Sequence, residues 1–306
     1  MNPAELTQKL KAKALEMGFE LSGVTPAVPS PDYPYFLDWL ARGHAGEMGY
    51  LSRRQEERAH PQSLLPGAKF IFCAALSYNP EEAHYLLLEK NPVSCYAWGR
   101  DYHEVLGEKL KKLSEYLLEL APGSKTKGYV DTGPILEKSY AAAAGLGWLG
   151  KNTLLLNKKF GSFLFLGEIL TDADLAPDEP AANLCKSCTA CLDACPTGAL
   201  EEAGVLNANK CISYLTLEHR SEFLEPPDLK GYLAGCDLCQ TACPYNTNAP
   251  AGQEPGFQPR PQVLGLTAPA AAEMSEKDFK DFTKDSALER IRYPMWKRNI
   301  HPQKTR

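Results

Sequence analysis

Eight of the ten cysteines of this chain lie between Cys185 and Cys243, where their spacing could hold redox-active iron. The first run, Cys185–Pro196, reads C-x2-C-x2-C-x3-C-P. This is the bacterial pattern for a [4Fe–4S] cluster, in which the fourth cysteine serves a neighbouring cluster. A second and shorter run begins at Cys236 and ends at Cys243-Pro244. The sequence therefore predicts a module with two clusters that carries single electrons.

The second run lacks its first cysteine, because the period would place it at Leu233. Cys211 is the spare thiol nearby, and we expect each run to give its last cysteine to the other. The predicted ligand sets are Cys185, Cys188, Cys191 and Cys243 for one cluster, and Cys236, Cys239, Cys211 and Cys195 for the other. Zinc sites and disulfides are the alternatives. Zinc usually takes C-x2-C pairs separated by longer loops, and neither alternative explains two Cys-Pro endings.

The composition excludes several classes of protein. Residues 1–17 carry five charged side chains and no apolar signal segment, and no stretch approaches 18 apolar residues, so we expect a cytoplasmic protein without a membrane span. Thiolate clusters in an unsecreted chain agree with a reducing compartment. The net charge of −5 argues against general coating of nucleic acid but leaves room for a local basic patch.

Apolar periodicity divides the chain into helices and strands. Helices are predicted over residues 3–17, 33–42, 46–58, 102–120 and 135–144. Strands are predicted over 19–25, 70–78, 93–98, 126–130, 152–156 and 162–171, with the last two forming a pair. This order predicts an α+β fold. We expect an N-terminal α/β domain over 1–175, a ferredoxin-like domain with two [4Fe–4S] clusters over 180–250, and a helical C-terminal segment over 262–306.

A glycine motif, Gly145-Leu-Gly147-Trp-Leu-Gly150, matches the dinucleotide fingerprint G-x-G-x-x-G. That fingerprint needs a strand before it and a helix after it, whereas here a helix precedes and a strand follows. The motif also fails as a phosphate loop, because Asn152 stands where Ser or Thr would bind magnesium. We expect a turn without side chains, which either ends a helix in a left-handed cap or lets a flat ligand approach the backbone.

Asp131 follows a predicted strand and precedes Thr132-Gly133-Pro134 at the start of a helix. A carboxylate at that place commonly caps the helix and is favoured by its dipole. A carboxyl group beside an apolar cavity could instead have a raised pKa and donate a proton. The local sequence leaves both roles open.

Several long segments together resemble the epoxyqueuosine reductase family. The matching segments are Leu64–Lys69, Tyr96–His103, Tyr129–Thr153, Gly161–Asp172 and Cys211–Arg220. All eight clustered cysteines also fit the family pattern, and the likeness extends over about residues 1–300. Many members of this family continue into a helical-repeat extension beyond that point.

The resemblance implies a function, cofactors and partners. Enzymes of this family reduce the epoxide of epoxyqueuosine at the wobble position of tRNA to queuosine. They use two [4Fe–4S] clusters and cobalamin, and they are related to cobalamin-dependent reductive dehalogenases. The resemblance therefore implies an oxidoreductase whose N-terminal domain binds cobalamin. Its expected partners are a tRNA and an external electron donor of flavodoxin or ferredoxin type, and a monomer is expected.

The resemblance also implies roles for single residues. Asp131 matches the proton donor of the family. We expect the corrin ring and its amide arms to contact six side chains of the N-terminal domain. These candidate cobalamin contacts are Arg54, Tyr96, Asp131, Asn152, Leu155 and Ser162.

A tRNA substrate requires a basic surface, because phosphate contacts dominate its affinity. Residues 290–306 contain six Lys or Arg and no acidic residue, and Tyr293 and Trp296 lie among them as possible stacking partners. A solvated tail is the alternative. The candidate RNA contacts are His219, Arg220, Lys297 and Arg298.

Two other functions stay open at this point. A reductive dehalogenase would share the clusters, the corrinoid and the proton donor, but such enzymes usually carry a twin-arginine signal, which this sequence lacks. A ferredoxin-type electron carrier would share the clusters alone, but it would not need an N-terminal region of 175 residues.

Overall fold

A computed structural model describes residues 1–300 of the protein except residues 86 and 89. Its strands are β1 Leu21–Pro26, β2 Phe70–Ser77, β3 Thr126–Tyr129, β4 Trp148–Leu149, β5 Leu155–Leu156, β6 Leu164–Thr171, β7 Leu200–Glu202 and β8 Val205–Leu206. Among these residues no helix is both long enough and apolar enough to span a bilayer.

The helices vary from one turn to five. They are α1 Pro3–Glu16, α2 Tyr33–Ala41, α3 Gln55–Ala59, α4 Pro61–Leu64, α5 Glu82–Tyr85, α6 Tyr102–Leu120, α7 Glu137–Ala143, α8 Ala190–Asp193, α9 Ile212–Leu217, α10 Leu238–Thr241, α11 Pro261–Leu264, α12 Ala268–Glu273, α13 Glu276–Thr283 and α14 Tyr293–Ile300. The predicted bounds of α6 are confirmed to the residue.

The main sheet has the strand order β1-β2-β6-β3, and every neighbouring pair is antiparallel. The mixture of an antiparallel sheet with helices confirms the α+β fold. The predicted pairing of residues 152–156 with 162–171 is wrong, because β5 pairs with β4 instead. Strand β6 is apolar along most of its length, so it lies in the middle of the sheet between β2 and β3.

Both faces of the sheet are covered by helices, as the alternation of side chains along β2 requires. Phe72, Ala74 and Leu76 belong to the core that includes the apolar residues of α1 and α6. Ile71, Cys73 and Ala75 belong to a second core on the opposite face, together with residues of α7. The sheet therefore separates two cores, and α7 covers one of them.

The glycine motif after α7 forms the side-chain-free turn that the sequence predicts. Gly145 has φ of +77° directly after the C-cap of α7, which is the left-handed conformation that glycine adopts at a helix end. A Cβ atom on Gly147 would lie 2.0 Å from the carbonyl oxygen of Leu156. The turn therefore packs directly against the backbone of β5.

Two predicted elements are wrong. Residues 93–98 contain a 3₁₀ turn rather than a strand, because the carboxylate of Asp237 accepts hydrogen bonds from the Ser94 hydroxyl and the Cys95 N–H and fixes the segment in a turn. Within 46–58 only the last residues are helical, as part of α3. Arg54 has φ of +57° just before α3, which is incompatible with a continuous right-handed helix.

The C-terminal helices pack into the main core and do not form a solvated tail. Trp296 is fully buried and contacts the rings of Phe279 and Phe282. The same core includes Leu217 and Leu233 from the cysteine-rich region. The apolar core thus crosses the predicted domain limits, which remain predictions. Two cations of the predicted basic run, Lys304 and Arg306, lie outside the described residues.

Candidate active site and cluster sites

Asp131 lies in the turn between β3 and α7. The N-cap residue of α7 is Leu136, so the helix-capping role that the sequence left open for Asp131 is excluded. Asp131 has φ of +55°, a conformation that aspartate tolerates better than most residues. Its side chain is 48% exposed and is therefore open to a ligand.

The first turn of α6 supplies the partners of the Asp131 carboxylate. The Tyr102 hydroxyl donates to Oδ2 of Asp131 at 2.8 Å, and Nε2 of His103 lies 3.2 Å from the same oxygen. Nδ1 of His103 lies 2.7 Å from Oδ1 of Asp101, which also caps α6. The imidazole of His103 thus bridges two carboxylates.

These contacts determine where the proton resides. Burial alone would lower the pKa of His103, but its hydrogen bonds to Asp101 and Asp131 raise that pKa to about 9. Burial would raise the pKa of Asp131, but hydrogen bonds from His103 and Tyr102 outweigh it and lower that pKa. At neutral pH the imidazole is therefore a cation beside a carboxylate. The pair therefore holds one proton at a partly exposed position.

The cysteines come together as two groups. Cys185, Cys188, Cys191 and Cys243 line one open cavity with an empty volume of about 330 Å³. The indole N–H of Trp148 donates to Sγ of Cys185 at 3.3 Å, as a tryptophan beside a cluster thiolate can. Within the described part of the chain, no group of three or more His, Cys, Asp or Glu side chains is arranged to hold a single metal ion.

The second group, Cys195, Cys211, Cys236 and Cys239, is partly buried and contains no exposed thiol. Burial raises the pKa of Cys236 to about 12, and the charges of Cys211 and Cys195 add to this effect. Burial also raises the pKa of Cys239 well above its ordinary value, followed by the charges of Cys236, Cys211 and Cys195. These mutual effects mean that the four thiols lie close together. A cation or a cluster is needed to keep so many thiolates ionised there.

Comparison with known proteins identifies the family. The family model described as "Epoxyqueuosine reductase QueG, DUF1730" matches residues 58–132, and the model "4Fe-4S double cluster binding domain" matches residues 184–246. The epoxyqueuosine reductase of Synechococcus sp. (strain RCC307) is 39% identical over 97% of this chain and 93% of its own length. That of Escherichia coli (strain K12) is 40% identical over 97% of this chain and 80% of its own.

The chain belongs to the epoxyqueuosine reductase family. A solved structure of a family member with a tRNA-Tyr epoxyqueuosine-modified stem loop is also similar, with a TM-score of 0.87 and 32% identity over 98% of this chain and 81% of that one. A catabolic reductive dehalogenase shares the fold at a TM-score of 0.50 and 16% identity, over 80% of this chain and 32% of that chain. The predicted family, its reductase function, the oxidoreductase class and the double-cluster domain are confirmed.

Two of the predicted contacts, Tyr96 and Asn152, fit cobalamin, the other cofactor that the family resemblance implies. The hydroxyl of Tyr96 and the amide nitrogen of Asn152 are buried, and neither has a hydrogen-bond partner within the described residues. Burial raises the pKa of Tyr96, so the hydroxyl stays protonated and can donate. Unpartnered buried donors are rare in folded proteins and suit a large ligand with amide arms.

The other predicted cobalamin contacts are less distinctive. Leu155 is buried in the core under α7. Ser162 is buried, and its hydroxyl already bonds to Gln240 and Asn246 inside the protein. Arg54 is exposed and pairs with Glu57 at 2.9 Å. The contacts of these residues with the cofactor stay predictions.

The structure contradicts the predicted RNA contact of Arg298. Its guanidinium is buried and donates to the carbonyl oxygens of Leu215, His219 and Ser221. Trp296 is likewise buried and cannot stack on a base. Both errors have one cause, because the inner face of a short amphipathic helix cannot be told from its outer face by charge alone.

Lys297, His219 and Arg220 differ in the contacts that their side chains make within the protein. Lys297 donates to the carbonyl oxygen of Ala272 at 2.6 Å. His219 stacks on Phe223 and lies 3.4 Å from Glu47. Arg220 is exposed, and its side chain reaches the carbonyl oxygen of Arg290 at 3.1 Å. Of these three, Arg220 is the best placed for a phosphate.

Sequence reasoning assigned no role at the active site to several of its residues, although Arg290 was counted in the predicted basic run. The positive charge of Arg290, which pairs with Glu218, helps to lower the pKa of Asp131. Tyr102 and His103 lie within a segment that resembles the family but look like ordinary residues of a helix start. The sequence did contain one signal for Tyr102 and His103. Both directly follow Asp101, and an aspartate that caps a helix orients the first turn of that helix.

Cys211 tests the proposed ligand sets. Replacing Cys211 with Ala removes one ligand of the buried set, so the iron content after anaerobic reconstitution should fall from about eight to about four atoms per chain. Cys73→Ala is the matched control, since Cys73 is a buried thiol outside both groups. Full iron content in Cys211→Ala would mean that the fourth ligand comes from another residue.

The raised pKa of His103 predicts how stability depends on pH. A histidine whose folded pKa lies above its unfolded value of about 6.5 stabilises the protein below that pH, and the stabilisation disappears as pH rises through the folded pKa. The thermal unfolding midpoint of the wild type should therefore exceed that of His103→Gln most at pH 6, and the gap should close towards pH 10. A gap that is constant over this range would contradict the ion pair.

Proposed function

We propose that this chain reduces the epoxide of epoxyqueuosine at the wobble position of tRNA to the cyclopentene of queuosine. The overall reaction consumes two electrons and two protons and releases the epoxide oxygen as water. The observation that carries the proposal is the proton-bearing pair of His103 and Asp131, with the Asp131 side chain 48% exposed, in a chain of this family with two groups of four thiols.

Each cofactor would supply what the side chains cannot. When bound, the two [4Fe–4S] clusters supply single electrons and cobalamin supplies a strongly reducing metal centre. Tyr96 and Asn152 would hold the corrin by donating to its amide arms. The eight cysteines would hold the clusters in the predicted sets.

The protein's own contribution is the proton. The oxygen that leaves an opened epoxide is a strong base, so a general acid at that place lowers the barrier. We infer that Nε2 of His103 holds the proton and passes it to Oδ2 of Asp131, which delivers it to the oxygen. The hydroxyl of Tyr102 positions the Asp131 carboxylate for this transfer, and the carboxylate of Asp101 positions the His103 imidazole.

Electrons should enter on the more exposed cysteine group. Cys188 is exposed, whereas no thiol of the other group is exposed. Lys151 lies beside Cys188, since its Nζ donates to the carbonyl oxygens of Lys186 and Cys188. An acidic electron donor of flavodoxin or ferredoxin type would complement the positive charge of Lys151 beside this group. A monomeric state and a cytoplasmic location stay predictions.

Asp131→Asn tests the proton role. The amide is nearly isosteric and can still contact Tyr102, but it cannot release a proton, so turnover of an epoxyqueuosine stem loop should fall about 10²–10⁴-fold. Iron content and the corrin absorption should stay at the wild-type level. Turnover within about threefold of wild type would remove Asp131 from the role of acid, while loss of the corrin bands would show that it binds the cofactor instead.

Arg220 tests the RNA surface. Arg298 holds the backbone on both sides of Arg220, and the Arg220 guanidinium donates to the carbonyl oxygen of Arg290, so this exposed cation has a fixed position. Arg220→Gln should weaken stem-loop binding and reduce the salt slope by about one. Lys9→Gln on α1 is the charge-matched control and should leave the slope unchanged. Equal slopes for wild type and Arg220→Gln would exclude a phosphate contact.

A further inference from the structure

The indole nitrogen of Trp148 has a different kind of acceptor from those of the other tryptophans. Trp39, Trp98 and Trp296 each donate their indole N–H to a backbone carbonyl oxygen. Trp148 instead donates to Sγ of Cys185 at 3.3 Å. Cys185 is the first cysteine of the motif, and Trp148 is only 4% exposed. A buried indole therefore directs its one donor at a predicted cluster ligand.

The glycine motif after α7 positions this indole. Gly147 precedes Trp148, and its lack of a Cβ atom lets β4 pack against the backbone of β5. Trp148 is in register with Leu156, and both side chains pack with Cys243 in one small apolar cluster. The ring of Tyr245 meets the indole edge to face, with 5.0 Å between the ring centroids and 78° between the ring planes. The indole therefore lies against two cysteines of the predicted first set.

The loop that carries Cys185 is tied to the same hairpin of β4 and β5. The side-chain amide of Asn183 donates to the carbonyl oxygen of Leu149 at 3.3 Å, and its oxygen accepts the N–H of Cys185 at 2.9 Å. Nζ of Lys151 donates to two carbonyl oxygens further along the loop, at 2.7 and 2.8 Å. The hairpin thus holds the backbone on both sides of Cys185, and this fixes the sulfur in front of the indole.

A hydrogen bond of this kind changes how readily an iron–sulfur cluster is reduced. When a [4Fe–4S] cluster accepts one electron from the external donor, no bond breaks and its net negative charge increases by one. An N–H donor on a ligand sulfur stabilises the reduced form more than the oxidised form, because hydrogen bonds to charged acceptors strengthen with the charge. Hydrogen bonds to the sulfurs and net charge are among the factors that set the potential of such clusters. The positive charge of Lys151 beside the same loop acts in the same direction.

We propose that Trp148, through its hydrogen bond to Cys185, raises the reduction potential of the cluster held by Cys185, Cys188, Cys191 and Cys243. Trp148 acts through a cluster ligand and does not touch the substrate, so it is a positioning residue. The inference rests on the predicted ligand set and on the entry of electrons at this group, which is part of the proposed function. A higher potential lets the entry cluster take electrons from an external donor that reduces less strongly.

A redox titration of Trp148→Phe tests the hydrogen bond without reference to activity. Phenylalanine keeps an aromatic ring against Tyr245 and removes the N–H. In anaerobically reconstituted protein, reduced with dithionite and monitored by EPR, one of the two cluster midpoints should become more negative by about 59 mV, which corresponds to a tenfold loss in the equilibrium constant for one electron. The other midpoint should stay at its wild-type value. Trp39→Phe is the matched control, because the Trp39 N–H donates to the carbonyl oxygen of Leu206, and both midpoints should stay unchanged.

Isotope labelling gives a readout that needs no substitution. Wild-type protein made with tryptophan that is isotopically labelled at the indole nitrogen should show a coupling from that nitrogen in pulsed EPR of the reduced clusters, because the indole N–H contacts a ligand sulfur. The coupling should disappear in Trp148→Phe and persist in Trp39→Phe. Its absence from the wild type, or its persistence in Trp148→Phe, would exclude the hydrogen bond. If Trp148→Phe does not retain iron, the labelled wild type decides.

The outcomes separate this inference from the proposed function. If the midpoint shifts in Trp148→Phe while the wild type does not reduce an epoxyqueuosine stem loop, the substrate is wrong and the role of Trp148 stands. If the stem loop is reduced while neither midpoint of Trp148→Phe becomes more negative, the proposed function stands and the role of Trp148 is overturned. An iron content of about eight atoms per chain in Trp148→Phe and Trp39→Phe verifies that both variants hold their clusters.

Discussion

The structure depends on the balance of charge around one turn. Asp131 is held by a protonated imidazole and a phenol at its side chain and by the carboxyl group of Glu137, which accepts its backbone N–H. Each of these groups is costly to bury alone, and each becomes acceptable through its neighbour. Arg290, paired with Glu218, adds positive charge that helps to lower the pKa of Asp131. The site is thus a network in which no charge can be removed without shifting the others.

The sheet and its helices explain why these groups meet. Strand β6 brings Glu168 beside Tyr129 at the end of β3, and the turn after β3 then carries Asp131 to the first turn of α6. Helix α7 covers the same face of the sheet and brings Glu137 under the turn. Long-range strand pairing therefore assembles the site, while local helix starts supply its side chains.

The sequence predicts what is local and leaves open what is not. The period of leucines in α6 and the spacing of the cysteine runs are local, and both lead to the observed helix and the matched domain. The partners of β6 depend on residues about 40 to 90 positions away, so a pattern of apolar residues could not identify them. His103 resembled an ordinary residue at a helix start. Glu168 was detectable as a lone acid within an apolar strand, but the sequence could not show that Glu137 lies beside it.

Helix α14 closes the cysteine-rich region from the far end of the chain. Arg298 binds the carbonyl oxygens of Leu215, His219 and Ser221, and Asn299 binds those of Thr216 and Leu233. These carbonyls flank Cys211 and Cys236, two thiols of the buried group. The backbone around these two thiols is therefore held by a helix that lies about 60 to 90 residues further along the chain, so the surroundings of this group are complete only after α14 has been made.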